Sequence, residues 1–157
     1  MKTKIDNPGV HVPPPLLYVL IFFISIYIQK AAPLSALFFD TNLASVLGVL
    51  FSMTGVFITL PALVKFFKTK NTLITFKSAN SLQTTGIYSI TRNPMYLGLL
   101  TIYIGIAFFE GNWWTIMLIP FVILMITYLV ILKEERYLER AFGDSYVDYK
   151  QRVRRWV

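Results

Sequence analysis

The sequence predicts an all-α integral membrane protein with about four transmembrane helices, a C-terminal helical hairpin and a cytoplasmic amphipathic C-terminal segment. The 157 residues are 55% hydrophobic, and their mean hydropathy of +0.59 is high for a soluble domain. The apolar residues are concentrated in four stretches that approach spanning length. The basic residues gather on one side of these stretches. A chain of this length is expected to form a single domain, residues 1–157.

The four predicted helices occupy roughly residues 15–35, 43–64, 94–109 and 113–132. The first is expected to be a retained membrane helix, because no clear small-residue cleavage site follows it. The third has 16 residues, fewer than the roughly 20 that a spanning helix needs. We therefore expect it to be tilted or to cross only part of the bilayer.

Proline, glycine and tryptophan predict details within this arrangement. Pro61 and Pro120 are possible kink sites in the second and fourth helices. Close helix contact is predicted at four glycines: Gly48, Gly55, Gly98 and Gly105. Residues 110–112, Glu-Gly-Asn, are predicted to form the hairpin turn, followed by Trp113 and Trp114 at the outer interface.

The distribution of positive charge predicts the orientation. If both termini are cytoplasmic, 14 of the 15 lysines and arginines lie inside and only Lys30 lies outside. This predicts a multi-pass protein of the cell inner membrane with both termini in the cytoplasm. The net charge of +7 is assigned to contact with anionic lipid head groups, and not to nucleic acid, because most basic residues lie beside apolar segments.

Composition excludes several kinds of active site. The chain has no cysteine, and its one histidine, His11, lies in the N-terminal tail. Disulfides, thiolate metal sites, cysteine nucleophiles and histidine-based metal sites or triads are therefore not expected. No predicted helix has a charged residue in its middle, which argues against an ion or proton pathway.

The hairpin is predicted to bring two polar segments, residues 65–93 and 133–157, together on the cytoplasmic side. Residues 94–109 rise roughly 24 Å and residues 113–132 descend roughly 30 Å at the helical rise of 1.5 Å per residue. Glu134 and Glu135 therefore return to the level of Arg92 and Asn93.

The stretch "TRNPMYLG" predicts a ligand site at this level. Asn93 suits an N-cap and Pro94 the first helical position. The free N–H groups of the first turn favour an anion, and Arg92 can hold a carboxylate in bidentate fashion. Glu134 and Glu135 suit an ammonium group or ribose hydroxyls, so the ligand is expected to be a zwitterion with an amino-acid end. An ordinary helix start stays open, in which Arg92 binds lipid phosphate or pairs with Glu134 or Glu135.

The segment before this stretch, "NSLQTTGIYSI", is rich in small and hydroxyl residues, and Gly86 permits close backbone approach. Such a segment at membrane level must be buried or line a cavity.

Three stretches together resemble the isoprenylcysteine carboxyl methyltransferase family and its phospholipid methyltransferase relatives. They are "LQTTGIYSITRNPMYLG", the hairpin "GNWW" and the tail "EERYLERAFGDSYVDYKQRVRRW". The resemblance covers about residues 82–156, roughly half of the chain. It implies an integral membrane methyltransferase that uses S-adenosylmethionine and methylates a carboxylate or similar nucleophile of a lipid-like or small hydrophobic substrate. It also implies a cytoplasmic-side cofactor pocket, closed by the C-terminal segment, with a tunnel for substrate from the bilayer.

The resemblance assigns the site to residues 77–96 and 133–157. Arg92 and Glu135 are implied as catalytic residues in the cofactor pocket. The implied cofactor contacts are Asn80, Ser81, Leu82, Gln83, Gly86, Tyr88, Asn93, Pro94, Met95, Tyr96 and Glu134. Membrane lipids are the expected partners, and neither nucleic acid nor a metal is expected.

One departure from the family pattern is Asn93, which stands where the family has histidine. Asparagine can cap a helix and donate a hydrogen bond but cannot titrate, so proton transfer is not expected at this position. The short chain leaves the prenylcysteine substrate open. A phospholipid or small-thiol methyltransferase and a non-catalytic membrane scaffold that retains the fold are the alternatives. Tyr146 and Tyr149 are expected to be packing residues.

Overall fold

The computed structural model describes residues 8–10, 12–68 and 81–157, with only the backbone of residues 66 and 67. These residues form helices and no strand, which confirms the all-α prediction. The helices are α1 (Pro14–Ala31), α2 (Asn42–Lys68), α3 (Pro94–Glu110), α4 (Trp113–Met117), α5 (Ile119–Ile126), α6 (Leu132–Phe142) and α7 (Asp144–Arg152). A 3-10 turn at Gly86–Ser89 precedes α3, and a π-helical turn at Thr127–Ile131 joins α5 to α6.

Two of the helices, α1 and α2, are long and apolar enough to cross a membrane by length and composition. Helix α3 is apolar but has only 17 residues, which agrees with the short third helix expected from the sequence. The outward side chains of α1 and α2 are largely apolar and exposed, as contact with lipid requires. The number of spans and their orientation stay predictions.

Helix α3 lies at the centre and packs against α1, α2 and α4. Its contact with α2 depends on glycine. A methyl group on Gly98 would collide with Thr59 Oγ1 and would lie 2.8 Å from the carbonyl oxygen of Gly55, while one on Gly105 would lie 2.8 Å from the carbonyl oxygen of Gly48. The close contact predicted for these glycines is therefore present, because any larger side chain would hold the two backbones apart.

Polar contacts attach α1 to α3 and to the hairpin. Tyr18 Oη donates to the backbone carbonyl of Tyr96 at 2.9 Å, near the end of α3 where the site lies. At the opposite end, Ser25 Oγ and Thr115 Oγ1 share a buried hydrogen bond of 2.7 Å. Trp114 Nε1 donates to the carbonyl of Ala32 at 2.8 Å. These bonds fix both ends of α1 on the bundle.

The hairpin turn lies where the sequence predicts it. Glu110 is the last residue of α3, and Gly111 follows with a left-handed φ of 67°, which glycine adopts without steric cost. Asn112 caps α4 by accepting from the N–H of Trp114 at 2.9 Å. The Trp113 ring stacks on Phe38 and lies tilted against Phe39 in an aromatic cluster.

The fourth apolar stretch differs from the single helix predicted over residues 113–132. Pro120, which lacks an N–H, lies just after a break at Leu118. Backbone bonds from Leu118 N to the Trp114 carbonyl and from Val122 N to the Leu118 carbonyl continue the helical path across this break. The chain then passes through the π turn into α6. At Pro61, by contrast, α2 continues as one helix.

Candidate functional site

The corner before α3 is built by Thr91, Arg92 and Asn93. Asn93 occupies the N-cap position and Pro94 the first helical position, as the sequence predicts. The Asn93 side chain makes no capping hydrogen bond to the first turn of α3, however. Asn93 instead donates through Nδ2 to the carbonyl oxygen of Arg155 at 2.9 Å, and its own N–H donates to Thr91 Oγ1 at 3.2 Å. The asparagine amide therefore faces the C-terminal segment and not the first turn of α3.

The C-terminal segment after α7 lies across this corner. The N–H of Arg92 donates to the carbonyl oxygen of Arg154 at 3.0 Å. The Thr91 hydroxyl donates to the carbonyl oxygen of Arg155 at 3.1 Å. Three polar groups of residues 91–93 therefore bond to two consecutive carbonyl groups of the tail, and this pairing satisfies polar groups that burial would otherwise leave without partners.

Glu135 is the centre of a buried ion cluster. Its carboxylate lies 3.2 Å from Arg92 Nη1 and accepts from Arg155 Nε and Nη2 at 2.9 and 2.8 Å. Glu135 is only 5% exposed, and a buried carboxylate is tolerated when cations and hydrogen bonds compensate its charge. The bond to Glu135 also raises the pKa of the Arg155 guanidinium. The pairing of Arg92 with Glu135 is one of the two ion pairs that the sequence left open.

Glu134, the neighbouring residue, has different surroundings. Its Oε1 accepts a hydrogen bond of 2.8 Å from the hydroxyl of Tyr96 on α3. Burial raises the pKa of Glu134 to about 7, the Tyr96 hydrogen bond opposes this shift, and the charge of Glu135 adds to it. The Glu134 carboxyl can therefore change its charge near neutral pH and would be stabilised as an anion by a cation placed beside it.

Tyr88, in the 3-10 turn, completes this part of the site. Its backbone carbonyl accepts from the Tyr149 hydroxyl at 2.6 Å, whereas its own hydroxyl is buried and has no partner among the described residues. Burial raises the pKa of Tyr88 above its usual value, and the charges of Tyr149 and Glu134 add to the shift. Arg92 Nε is a second buried polar atom without a described partner. Unpartnered buried groups at one site are rare and indicate a place for a bound molecule.

The strip before the 3-10 turn is only partly described. Asn80, a predicted cofactor contact, lies outside the described residues. Gln83 Nε2 donates to Ser81 Oγ at 2.8 Å. Leu82 packs against a buried cluster of Tyr146, Tyr149 and Val153. Gly86 has a φ of 68° and open space where a side chain would lie. The cofactor role assigned to these residues stays a prediction.

The structure therefore brings together five predicted site residues from the 3-10 turn, the corner before α3, α3 itself and α6: Tyr88, Arg92, Tyr96, Glu134 and Glu135. Met95 and Pro94 stand in the first turn of α3. Tyr146 and Tyr149 are buried, as packing residues are, but their hydroxyls also contact Arg92 Nη1 at 3.4 Å and the Tyr88 carbonyl.

Arg155 and Thr91 also belong to the site, although no sequence pattern indicates either residue. Arg155 stands in the run Arg152-Val-Arg-Arg, and no local pattern distinguishes it from the two exposed arginines of that run. Among the described residues, no group of three or more His, Cys, Asp or Glu side chains could hold a metal ion.

Comparisons with known proteins identify the family. The profile described as phospholipid methyltransferase matches residues 43–145, from α2 to the start of α7. Protein-S-isoprenylcysteine O-methyltransferase of Schizosaccharomyces pombe is 36% identical over 72 residues, 46% of this chain and 30% of that protein. Protein-S-isoprenylcysteine O-methyltransferase B of Arabidopsis thaliana is 37% identical over 76 residues, 47% of this chain and 38% of that protein.

An uncharacterised protein of Haemophilus influenzae is 44% identical over 63 residues, which are its full length and 40% of this chain. No solved structure matches the chain. The matches to the two named methyltransferases span about a third of the length of each. Because the family profile covers well over half of the chain, including both carboxylates of the site, the protein belongs to the phospholipid methyltransferase family, with isoprenylcysteine O-methyltransferases among its relatives.

Proposed function

We propose that the protein is an integral membrane methyltransferase that uses S-adenosylmethionine to methylate a carboxylate or similar nucleophile of a lipid-like substrate. Family membership supports the reaction class. The observation that supports the site best is the juxtaposition of Glu134, whose pKa is about 7, with the buried and unpartnered hydroxyl of Tyr88. Such a pair suits a ligand that brings both a positive charge and a hydrogen-bonding group.

The described donor set fits the amino-acid end of this cofactor. Glu134 would accept the ammonium group, because a nearby cation favours the ionised carboxyl. The uncapped first turn of α3, at Met95 and Tyr96, would hold the carboxylate through backbone N–H groups and the helix dipole. Tyr88 would supply a further hydrogen bond. The proposed contacts of Ser81, Leu82, Gln83, Gly86, Asn93 and Pro94 would line the rest of the pocket.

The reaction places few demands on acid–base chemistry. S-adenosylmethionine supplies a methyl group bonded to a positively charged sulfur. A carboxylate acceptor is already ionised at pH 7, so the chain needs no general base to activate it. Its residues would bind, orient and exclude water. We propose that Arg92, held by Glu135, fixes the acceptor in the pocket, because its buried Nε is available to an anion.

An apolar groove between α1 and α3 supports a substrate with a hydrocarbon chain. It is lined by Pro15, Tyr18, Val19, Phe22, Leu99, Ile102, Tyr103 and Ile106. It begins beside Tyr18, whose hydroxyl bonds to Tyr96 next to Glu134. We further propose four membrane spans with both termini in the cytoplasm, in the inner membrane of the cell, so that a substrate would enter from the bilayer.

Calorimetric binding of S-adenosylhomocysteine to the purified protein in detergent tests the proposal. We expect binding by the wild type and at least about tenfold weaker binding by Glu134→Ala, because the ammonium group loses its counter-charge. Glu139→Ala is the control, since Glu139 pairs with Lys150 on the exposed surface. Absence of binding by the wild type would refute the methyltransferase proposal.

The acceptor needs a separate experiment. A screen with radiolabelled methyl donor would compare prenylcysteine analogues, phospholipids and small thiols in detergent micelles. The family profile favours a phospholipid acceptor, and the named relatives favour prenylcysteine. Cofactor binding without transfer to any of these classes would favour the non-catalytic scaffold.

A further inference from the structure

Arg155 contacts the site through both its backbone and its side chain. Its carbonyl oxygen accepts from Thr91 Oγ1 and from Asn93 Nδ2, at the start of α3. Its guanidinium holds Glu135 on α6 in bidentate geometry, at 2.9 and 2.8 Å. One residue of the tail therefore connects the two elements that supply the opposite walls of the proposed pocket.

The planar guanidinium fork suits this task. A bidentate bond fixes both the distance and the plane of the carboxylate, which a single contact does not do. Arg92 Nη1 approaches the same Oε1 atom of Glu135 at 3.2 Å. Arg155 therefore also sets the position at which the carboxylate meets Arg92, although its own side chain is a third exposed at the rim of the site.

We propose that Arg155 is a positioning residue, which holds Glu135 in place and compensates its charge, so that Arg92 and Glu134 are oriented for the cofactor and the acceptor. The inference rests on the proposed function. It assigns a role to the C-terminal segment beyond covering the pocket, and it concerns a residue outside the part of the chain that the family profile matches.

The charge of Glu135 provides a way to observe this role. Glu134 faces Tyr96 from α3, Tyr88 from the 3-10 turn and Glu135 from its own helix. Glu135 in turn faces Arg92, Arg155 and Tyr146. Removal of the Arg155 charge leaves Glu135 less compensated, and an uncompensated neighbouring anion disfavours ionisation of Glu134. The titration of Glu134 should therefore respond to Arg155.

The experiment uses the full chain in detergent, with Arg155→Gln, Arg155→Lys and the control Arg152→Gln. Arg152 is exposed and bonds through Nε only to a carbonyl of its own helix, and its replacement removes the same charge. Carboxyl carbon-13 shifts follow the titration of glutamate in the ligand-free protein. Only four glutamates are present, so Glu134→Gln suffices to assign the signal. Calorimetry with S-adenosylhomocysteine follows affinity.

We expect Arg155→Gln to raise the titration midpoint of Glu134 by about one pH unit and to weaken binding about fivefold at pH 7, because the ionised fraction falls from about a half to about a tenth. Arg155→Lys should restore most of the midpoint, because it keeps the charge, and only part of the affinity, because it lacks the fork. Arg152→Gln should match the wild type in both. A folded Arg155→Gln with the midpoint and affinity of Arg152→Gln would overturn the proposal.

The two readouts separate this inference from the proposed function. Failure of the wild type to bind S-adenosylhomocysteine would refute the cofactor proposal. The titration midpoints of Glu134 in the ligand-free variants would still show whether Arg155 compensates the charge of Glu135. If Arg155→Gln does not fold, Arg155→Lys tests the proposal in its place. Reduced affinity for S-adenosylhomocysteine in folded Arg155→Lys would support the proposal, and wild-type affinity would refute it.

Discussion

Two adjacent carboxyl groups, Glu134 and Glu135, have opposite environments at the residue scale. Glu135 is compensated by two guanidinium groups, from Arg92 and Arg155. Glu134 has a tyrosine hydroxyl as its hydrogen-bond partner, and burial raises its pKa to about 7. The structure therefore gives different surroundings to two carboxyl groups that look equivalent in sequence: one is paired with guanidinium groups and the other is bonded to a tyrosine hydroxyl.

The raised pKa of Glu134 predicts that ligand binding depends on pH. Because ionised Glu134 is expected to bind the ammonium group, the affinity for S-adenosylhomocysteine should rise with pH between 6 and 8. A group with a pKa of about 7 is ionised roughly a tenth of the time at pH 6 and nine-tenths at pH 8, which predicts about tenfold tighter binding at pH 8. Calorimetry at both pH values measures this.

Glu134→Gln is the control for this dependence. This variant should bind S-adenosylhomocysteine weakly, with almost the same affinity at pH 6 and at pH 8. The ligand-free variant should also be more stable than the wild type at pH 8, because a raised folded-state pKa means that ionisation of Glu134 destabilises the fold as pH rises from 4.5 through 7. If the affinity of Glu134→Gln changed with pH as that of the wild type does, the titrating group would be another residue.

The buried Tyr88 hydroxyl gives a prediction about both stability and ligand binding. Because this group is buried without a described partner, Tyr88→Phe should leave the ligand-free thermal stability unchanged or slightly higher. If the cofactor supplies the missing partner, the same variant should bind S-adenosylhomocysteine about threefold to tenfold more weakly. Tyr149→Phe is the contrast, since it removes a 2.6 Å hydrogen bond and should lower stability. Full affinity in Tyr88→Phe would remove Tyr88 from the site.

The contact between α2 and α3 is the main feature at the scale of elements. It places the start of α3 beside the end of α2, where Lys65 Nζ donates to Thr85 and lies 5.8 Å above the Tyr88 ring. The glycines allow the two backbones to approach closely enough for this arrangement. Their spacing therefore contributes to the position of the 3-10 turn that holds Tyr88.

Gly98→Ala tests this contact. Alanine favours an isolated helix over glycine by about 1 kcal/mol, so propensity alone predicts stabilisation. We expect the opposite, a loss of about 1–3 kcal/mol or an equivalent fall in the melting temperature in detergent, because the methyl group would overlap Thr59 Oγ1 and the Gly55 carbonyl. Gly98→Ala combined with Thr59→Ala should recover part of the loss. A variant more stable than the wild type would contradict the packing.

The π turn at Thr127–Ile131 lies directly before α6. Each residue of an α-helix turns the chain by about 100° around the helix axis. A π turn contains one extra residue, so the side chains that follow it point about 100° away from their directions in an uninterrupted α-helix. Glu134 and Glu135 follow this turn directly, in the first turn of α6. Their direction toward α3 and toward Arg155 therefore depends on it.

At the scale of the whole molecule, the predicted topology places the hairpin turn outside and the C-terminal helices in the cytoplasm. Because the chain has no cysteine, a single introduced cysteine is the one thiol that a reagent can label. Ser35 and Ser145 are both exposed serines, in the loop after α1 and in α7 respectively. With a membrane-impermeant thiol reagent, Ser35→Cys should react in intact spheroplasts, and Ser145→Cys only after permeabilisation. Equal reaction of both variants in intact spheroplasts would exclude the predicted orientation.

The amino-acid sequence alone predicts the helical class, the approximate bounds of α1, α2 and α3, the hairpin turn and the return of Glu134 and Glu135 to the level of Arg92. These follow from apolar run length, from capping residues and from helical rise, which are local properties of the chain. The family was also recognisable, because its motif residues lie at spacings that the sequence shows directly.

The contacts that distinguish one site residue from the next come from the packing of the folded chain. Which carboxyl pairs with Arg92, and which faces Tyr96, depends on the π turn directly before α6, and the apolar pattern of the sequence does not reveal that turn. The role proposed for Arg155 depends on where the tail crosses the start of α3, more than sixty residues earlier in the chain. Contacts between segments so far apart are set by the packing of the helices and the tail, which local sequence patterns do not specify.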